Sequence, residues 1–257
     1  LFQHQTVRAL AAALPALAEP APALTEPVGG VAPLTPMQRR FFAEEVPERA
    51  HYNQALLLRP KRRLAAPLLR QALALLMAHH DALRLRYTEQ LEGWQQTHAA
   101  PGELPDAGLL WELDASDAAA LERACLSVQR AFELERGPLL RAALIEYAGG
   151  QRLLLVAHHL VVDGVSWRVL LEDLGSLCQQ LAAGRSAVLG SKTTPFKRWG
   201  EALERLAAEP SEAELAHWLE LAERPAPREL PRDREVATAL VRDRETAELR
   251  LDAARTA

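Results

Sequence analysis

The 257-residue chain is 49% hydrophobic and 25% charged, which is enough apolar chain to build a substantial core. Its formal net charge of -4 offers no electrostatic basis for binding nucleic acid or an anionic membrane, and no apolar run approaches the ~20 residues of a membrane span. Cys125 and Cys178 stand far apart in apolar helical patterns and fit neither a disulfide framework nor a zinc site, so a reducing, cytoplasmic setting is expected; LFQHQTVRALAAAL at the start lacks the pattern of a signal peptide. Residues 1–14 have Leu1, Phe2, Val7, Leu10 and Leu14 at helical spacing. They look like the last turns of a helix cut from something longer. Residues 15–33 are rich in proline and hold a Gly-Gly pair, a linker composition, so a domain boundary is expected near residue 30.

PLTPMQRRFFAEE follows, with Thr35 placed to cap a helix, Pro36 suited to its first turn, and Met37, Phe41 and Phe42 as its apolar stripe. YNQALLLRP predicts a strand, and residues 64–80 show a helical period. Leu83, Leu85 and Tyr87 alternate with Arg84 and Arg86, which predicts a strand with one wet face. Gly93 and WQQTH predict its hairpin partner, and LLWEL a further strand. Ser116 is placed to cap a helix with Leu121, Cys125, Val128 and Phe132 on one side. LLRAALIEY and RLLLVAHH flank a Gly-Gly turn and predict a hairpin whose second strand, apolar on both faces, is central and covered. Ser166 is placed to cap a long helix carrying Leu170, Leu174, Leu177, Cys178 and Leu181, with Gly184 as its stop. Residues 196–221 predict one or two helices interrupted near Pro210, with Trp199 and Trp218 expected in the core. Residues 224–235 have the composition of a second linker, and TAELRLDAA begins a strand. Helices mixed with hairpins predict an α/β or α+β fold with a largely antiparallel sheet.

The chemistry concentrates in HHLVVDG, residues 158–164, where a central strand gives way to a loop and then a helix. Successive strand side chains point to opposite faces. His158 and His159 therefore divide: one turns into the packed layer, the other toward the mouth at the strand end. This division, and the shortage of further ligands, weighs against metal chelation by the pair, and no metal is expected. Asp163-Gly164 reads as a loop-shaping turn, with Gly164 free to take positive φ or allow close approach. An imidazole here is suited to moving a proton near neutral pH.

HHLVVDGVSWRVLLEDL resembles the HHxxxDG motif of the condensation-domain superfamily of nonribosomal peptide synthetases. The Ser-Trp at 166–167 is similar to the epimerization branch in particular. PLTPMQRRFF, YNQALLL, HHDALRLRY (79–87), FELERGPLLRAAL (132–144) and PFKRWGEAL (195–203) resemble other family stretches in order and spacing. The resemblance implies one of the two chloramphenicol-acetyltransferase-like lobes of the full domain, an α/β sandwich with the active site in a tunnel between lobes. It further implies residues 1–14 as the last helix of a peptidyl carrier domain, 15–30 as a linker, 31–223 as the N-terminal lobe, and 224–257 as crossover linker and start of the C-terminal lobe.

The implied reaction inverts Cα of an aminoacyl or peptidyl group held as a thioester on the 4′-phosphopantetheine of the carrier, whose attachment serine lies outside this sequence. No cofactor is bound directly. His159 matches the family's catalytic acid/base and His158 its supporting histidine. Asp163 is expected to stabilise the loop through an ion pair with an unplaced arginine, Gly164 to give room at the tunnel, and Ser166 to cap the next helix. Trp167 is either a packed aromatic or a tunnel contact. The start of that helix could assist an enolate. The second acid/base, a glutamate, belongs to the other lobe. His79-His80-Asp81 matches a fold motif and is read as structural. The implied partners are the upstream carrier, the C-terminal lobe and a condensation domain of the next module. Peptide-bond formation by the same histidine is the alternative within the superfamily. A non-catalytic recruitment domain and a free acyltransferase are the alternatives outside it.

Overall fold

A computed structural model describes residues 6–13, 28–103 and 108–224. The described residues fall into two compact units, divided between Glu209 and Pro210. In the first, the elements in chain order are α1 (Val7–Ala13), β1 (Gly30–Ala32), α2 (Pro36–Ala43), β2 (Asn53–Leu58), α3 (Ala66–His79), β3 (Leu85–Gln90) and β4 (Gly93–His98). They continue with β5 (Leu110–Ala115), α4 (Ala118–Gln129), β6 (Leu140–Tyr147), β7 (Gly150–His158), α5 (Gly164–Ala182) and α6 (Phe196–Ala208). In the second unit, α7 (Glu212–Glu223) starts at Ser211, whose side chain accepts the Glu214 N–H at 3.2 Å. The expected features of residues 1–5 and 14–27, and the second linker and tail strand beyond Arg224, lie outside the described residues.

The main sheet runs β2-β7-β6-β5. β7 is antiparallel to β2 and β6, with Asn53 opposite His158 and Leu140 opposite Ala157. β5 joins β6 in parallel. Leu153 to Ala157 are buried without alternation, as a strand covered on both faces must be. α3 and α5 pack together, and Leu69, Leu73, Leu76, Leu170, Leu174 and Leu177 join the same core as β6 and β7. Truncating any one of the most deeply buried leucines removes about 2–5 kcal/mol of stability. A smaller sheet, β1-β4-β3, is antiparallel throughout, so residues 30–32 are an edge strand where the proline-rich composition predicts linker.

Several local expectations give way to tertiary packing. In α2 it is Gln38 that is buried, whereas Met37 is 72% exposed. Thr35 Oγ1 accepts the Gln38 N–H at 3.4 Å and Gln38 Oε1 accepts the Thr35 N–H at 2.9 Å, a reciprocal cap. The wet face expected of Arg84 and Arg86 is half wrong: Arg84 belongs to a 3-10 turn, Asp81–Arg84, and is buried. The cap of α4 is Asp117, not Ser116: the Asp117 carboxylate accepts the Ala120 N–H at 2.8 Å. Trp199 and Trp218 are exposed, against the expectation of core. α6 approaches the smaller sheet beside β1 through Gly200 instead, where a Cβ would come within 3.0 Å of Pro33 Cγ. The break near Pro210 is present, between α6 and α7.

Candidate active site

β7 ends on His158, and its ladder with β2 runs one residue further: the His159 N–H donates to the Tyr52 carbonyl at 2.8 Å. Strand alternation then sends the two rings apart. His158 is fully buried near the rings of Phe41, Tyr52 and Phe132. Its Nε2 is 2.8 Å from the Arg49 carbonyl, and its Nδ1 accepts the Leu160 N–H at 3.2 Å. One nitrogen must donate and the other accept, so this ring is neutral, and burial pushes its pKa down to about 4. Such a ring pins the chain leaving β7 to the turn before β2.

His159 is half-buried and faces a cleft of about 750 Å³, lined also by Gln38, Phe41, Tyr52, Asp163 and Ser166. The ring stacks on Tyr52, with centroids 5.2 Å apart and planes 16° apart. Its Nδ1 lies 2.8 Å from the Val162 carbonyl and its Nε2 lies 3.2 Å from Gln54 Nε2. Gln54 Oε1 in turn accepts the indole N–H of Trp167 at 2.8 Å. Trp167 is thus a buried aromatic with its one polar atom paired.

Asp163 is the N-cap of α5. Its Oδ1 accepts the Ser166 N–H at 2.8 Å and the Ser166 hydroxyl at 2.7 Å, while Ser166 Oγ accepts the Asp163 N–H at 3.1 Å. The cap is therefore Asp163, with Ser166 completing the box from the third helical position, which reverses the expected assignment. These bonds hold the Asp163 carboxyl below its ordinary range. Among the described residues no arginine pairs with Asp163, and its hydrogen bonds are those to Ser166. Gly164 opens α5 without a positive φ, and a Cβ there would meet no described atom of this chain within 4 Å, so its own backbone conformation does not require glycine.

The second histidine pair lies at the end of α3. His80 Nε2 is 2.7 Å from Asp173 Oδ2, which joins α3 to α5. His79, His80 and Asp173 are the one group among the described residues with ligand atoms close enough for a metal ion, and the pairing of His80 with Asp173 accounts for the cluster as a helix clasp. Sequence reasoning missed Tyr52 and Gln38 at the cleft and Gln54 beside His159. Gln38 Nε2 lies 2.9 Å from the Tyr87 hydroxyl and donates to the Leu160 carbonyl at 3.1 Å, so it holds the loop after His159. The available signal was a glutamine next to Asn53 at the start of the otherwise apolar β2 and another in the first turn of α2.

The sequence matches the condensation-domain family over residues 28–257. The chain belongs to this family. It is 42% identical over 214 residues to the chondramide synthase cmdD of Chondromyces crocatus, covering 80% of this chain and 5% of that protein. It is also 36% identical over 262 residues to surfactin synthase subunit 1 of Bacillus subtilis, covering 100% of this chain and 7% of that protein. Among solved structures, the epimerization domain from the third module of tyrocidine synthetase B is similar, with a TM-score of 0.76 and 34% identity. That match covers 83% of this chain and 50% of the other. The first condensation domain of the calcium-dependent antibiotic synthetase is similar with a TM-score of 0.64 and 26% identity, over 77% of this chain and 49% of the other. The chain thus spans a small part of the curated relatives it matches and about half of these structures. It is a condensation-superfamily domain of nonribosomal peptide synthetases, with the fold of a chloramphenicol-acetyltransferase-like α/β lobe.

Proposed function

We propose that the chain serves the epimerization of a carrier-tethered aminoacyl or peptidyl thioester, with His159 as a general acid/base. The observation that carries this reading is the half-buried ring of His159 at the mouth of β7, lining the cleft with Nδ1 2.8 Å from the Val162 carbonyl and Nε2 3.2 Å from Gln54 Nε2. The thioester carbonyl acidifies the α-proton by delocalising the carbanion as an enolate. Transfer of that proton to Nε2 gives imidazolium and enolate. Return of a proton to the opposite face of Cα gives the inverted centre, and the imidazolium then gives up its proton while the donor regains one, through solvent, with no net gain or loss of protons or electrons. The second proton donor is a carboxylic acid of the other lobe. The substrate arrives on the 4′-phosphopantetheine of an upstream carrier domain, and the product passes to a condensation domain of the next module, all in the cytoplasm. Exposed Met37, Val165 and Val169 on this side of the lobe suit a face that meets the other lobe. Similarity to the tyrocidine epimerization domain supports the reading.

The test is the wash-in of deuterium at Cα of a loaded carrier in heavy water. The intact protein is expected to exchange and invert, and His159→Ala to lose about 10²–10⁴-fold in rate while remaining folded. Amide formation without exchange would instead establish the second reading, peptide-bond condensation, which similarity to the condensation domain of the calcium-dependent antibiotic synthetase favours.

A further inference from the structure

Trp167 Nε1 lies 2.8 Å from Gln54 Oε1, and an indole nitrogen can only donate. This bond fixes which end of the Gln54 amide is oxygen. The end that lies 3.2 Å from His159 Nε2 is therefore the NH2 group, which also can only donate. On the other side of the imidazole, Nδ1 is 2.8 Å from the Val162 carbonyl, which can only accept. One protonation state satisfies both contacts: a proton on Nδ1 and a lone pair on Nε2. The opposite tautomer would set two N–H groups face to face at Gln54 and two lone pairs face to face at Val162.

We propose that Gln54, held by Trp167, is a positioning residue that fixes the resting His159 ring in the Nδ1–H tautomer, with the Nε2 lone pair on the Gln54 NH2, a contact that must open before Nε2 takes a proton. The inference rests on the reading of His159 as the acid/base. β2 and the residue before it contribute the whole clamp: the Tyr52 carbonyl takes the His159 backbone N–H, the Tyr52 ring stacks on the imidazole, and Gln54 addresses its edge. Trp167, in the first turn of α5 and only 7% exposed, is anchored by packing and keeps the amide from turning over. Two residues without chemistry of their own thereby decide which nitrogen of a third is basic.

Gln54→Glu is the discriminating substitution. It keeps the side-chain shape and the acceptor for Trp167, and replaces the donor NH2 with a carboxylate oxygen. The imidazole then faces acceptors on both sides. The measurement is ¹⁵N NMR of histidine-labelled intact protein with its carrier domain, the His159 signals being assigned by their loss in His159→Ala. The unsubstituted protein is expected to show a protonated Nδ1 and an unprotonated Nε2 near neutral pH. Gln54→Glu is expected to show both nitrogens protonated, with Cα exchange at neutral pH reduced by about tenfold or more and recovered as the pH is raised. An Nε2–H tautomer in the unsubstituted protein overturns the inference without any variant. So do unchanged signals and an unchanged pH profile in a folded Gln54→Glu protein. If the signals change as expected while His159→Ala retains exchange, the positioning role stands and the catalytic reading falls.

Discussion

Asp81 Oδ1 lies 2.7 Å from Arg84 Nη2, with 6% and 2% of the two side chains exposed. Arg84 also donates to the carbonyls of Met77, Ala78, Ala99 and Val28, at 2.9, 2.9, 3.1 and 3.2 Å. Two of these are carbonyls from the last turn of α3, which the helix itself cannot satisfy. One guanidinium therefore closes the helix and ties it to the segments beside β4 and β1. Lys192 Nζ reaches the same Asp81 oxygen at 3.0 Å. Asp81→Ala would leave the Arg84 charge buried without its counter-ion, and is expected to cost about 3–5 kcal/mol in chemical denaturation. A loss below about 1 kcal/mol would mean that the four carbonyls suffice.

Asp163 distinguishes a cap from an ion pair. As a cap it should tolerate asparagine, which accepts the Ser166 N–H equally well, and Asp163→Asn is expected to stay within about 0.5 kcal/mol of the parent. Asp163→Ala is expected to lose about 1 kcal/mol. The carboxyl is held below its ordinary range by the Ser166 hydroxyl and N–H, so its contribution is present above that range and lost as the pH falls through the folded value. Melting curves of the three proteins at neutral pH decide the matter, since equal losses in both variants would indicate a charge partner instead.

The sequence made legible what period and turn chemistry control. The central, doubly covered β7 follows from an unbroken apolar run, and the hairpin is where expected, although its turn is Ala148-Gly149 and Gly150 already pairs with Tyr147. The separation of His158 from His159 follows from strand alternation alone. What stayed hidden is what depends on partners distant in sequence. Arg84 looks like a solvated strand residue until α3 offers it two carbonyls, and Met37 looks like core until Gln38 finds Tyr87 and Leu160. Gln54 is 105 residues from His159 and 113 from Trp167, so no local pattern could join them. Ser166 does sit at the start of α5, but as the far half of the box and not as the cap, because a capping box reads almost the same from either end.

His98, at the end of β4, carries the clearest pH dependence outside the site. It is 3% exposed, and neither ring nitrogen is hydrogen-bonded among the described residues. Burial holds its pKa down, from 6.5 to about 4; nearby Asp81 and the Gly30 backbone oppose this, and Arg84 and Lys197 add to it. His158 is depressed to about the same value, also mainly by burial. Between pH 6.5 and about 4 the unfolded chain carries a proton on each ring that the folded chain lacks. Unfolding then takes up protons, so stability is full above this window and falls as the pH falls through it. His98→Leu removes one of the two rings and, with it, a pair of buried unsatisfied polar atoms. At neutral pH the variant is expected to be at least as stable as the parent. Between neutral pH and pH 5 it should lose about half as much stability through these two rings as the parent does. Denaturant midpoints for both proteins across that range test this, and parallel pH profiles would show that His98 is protonated to the same extent folded and unfolded.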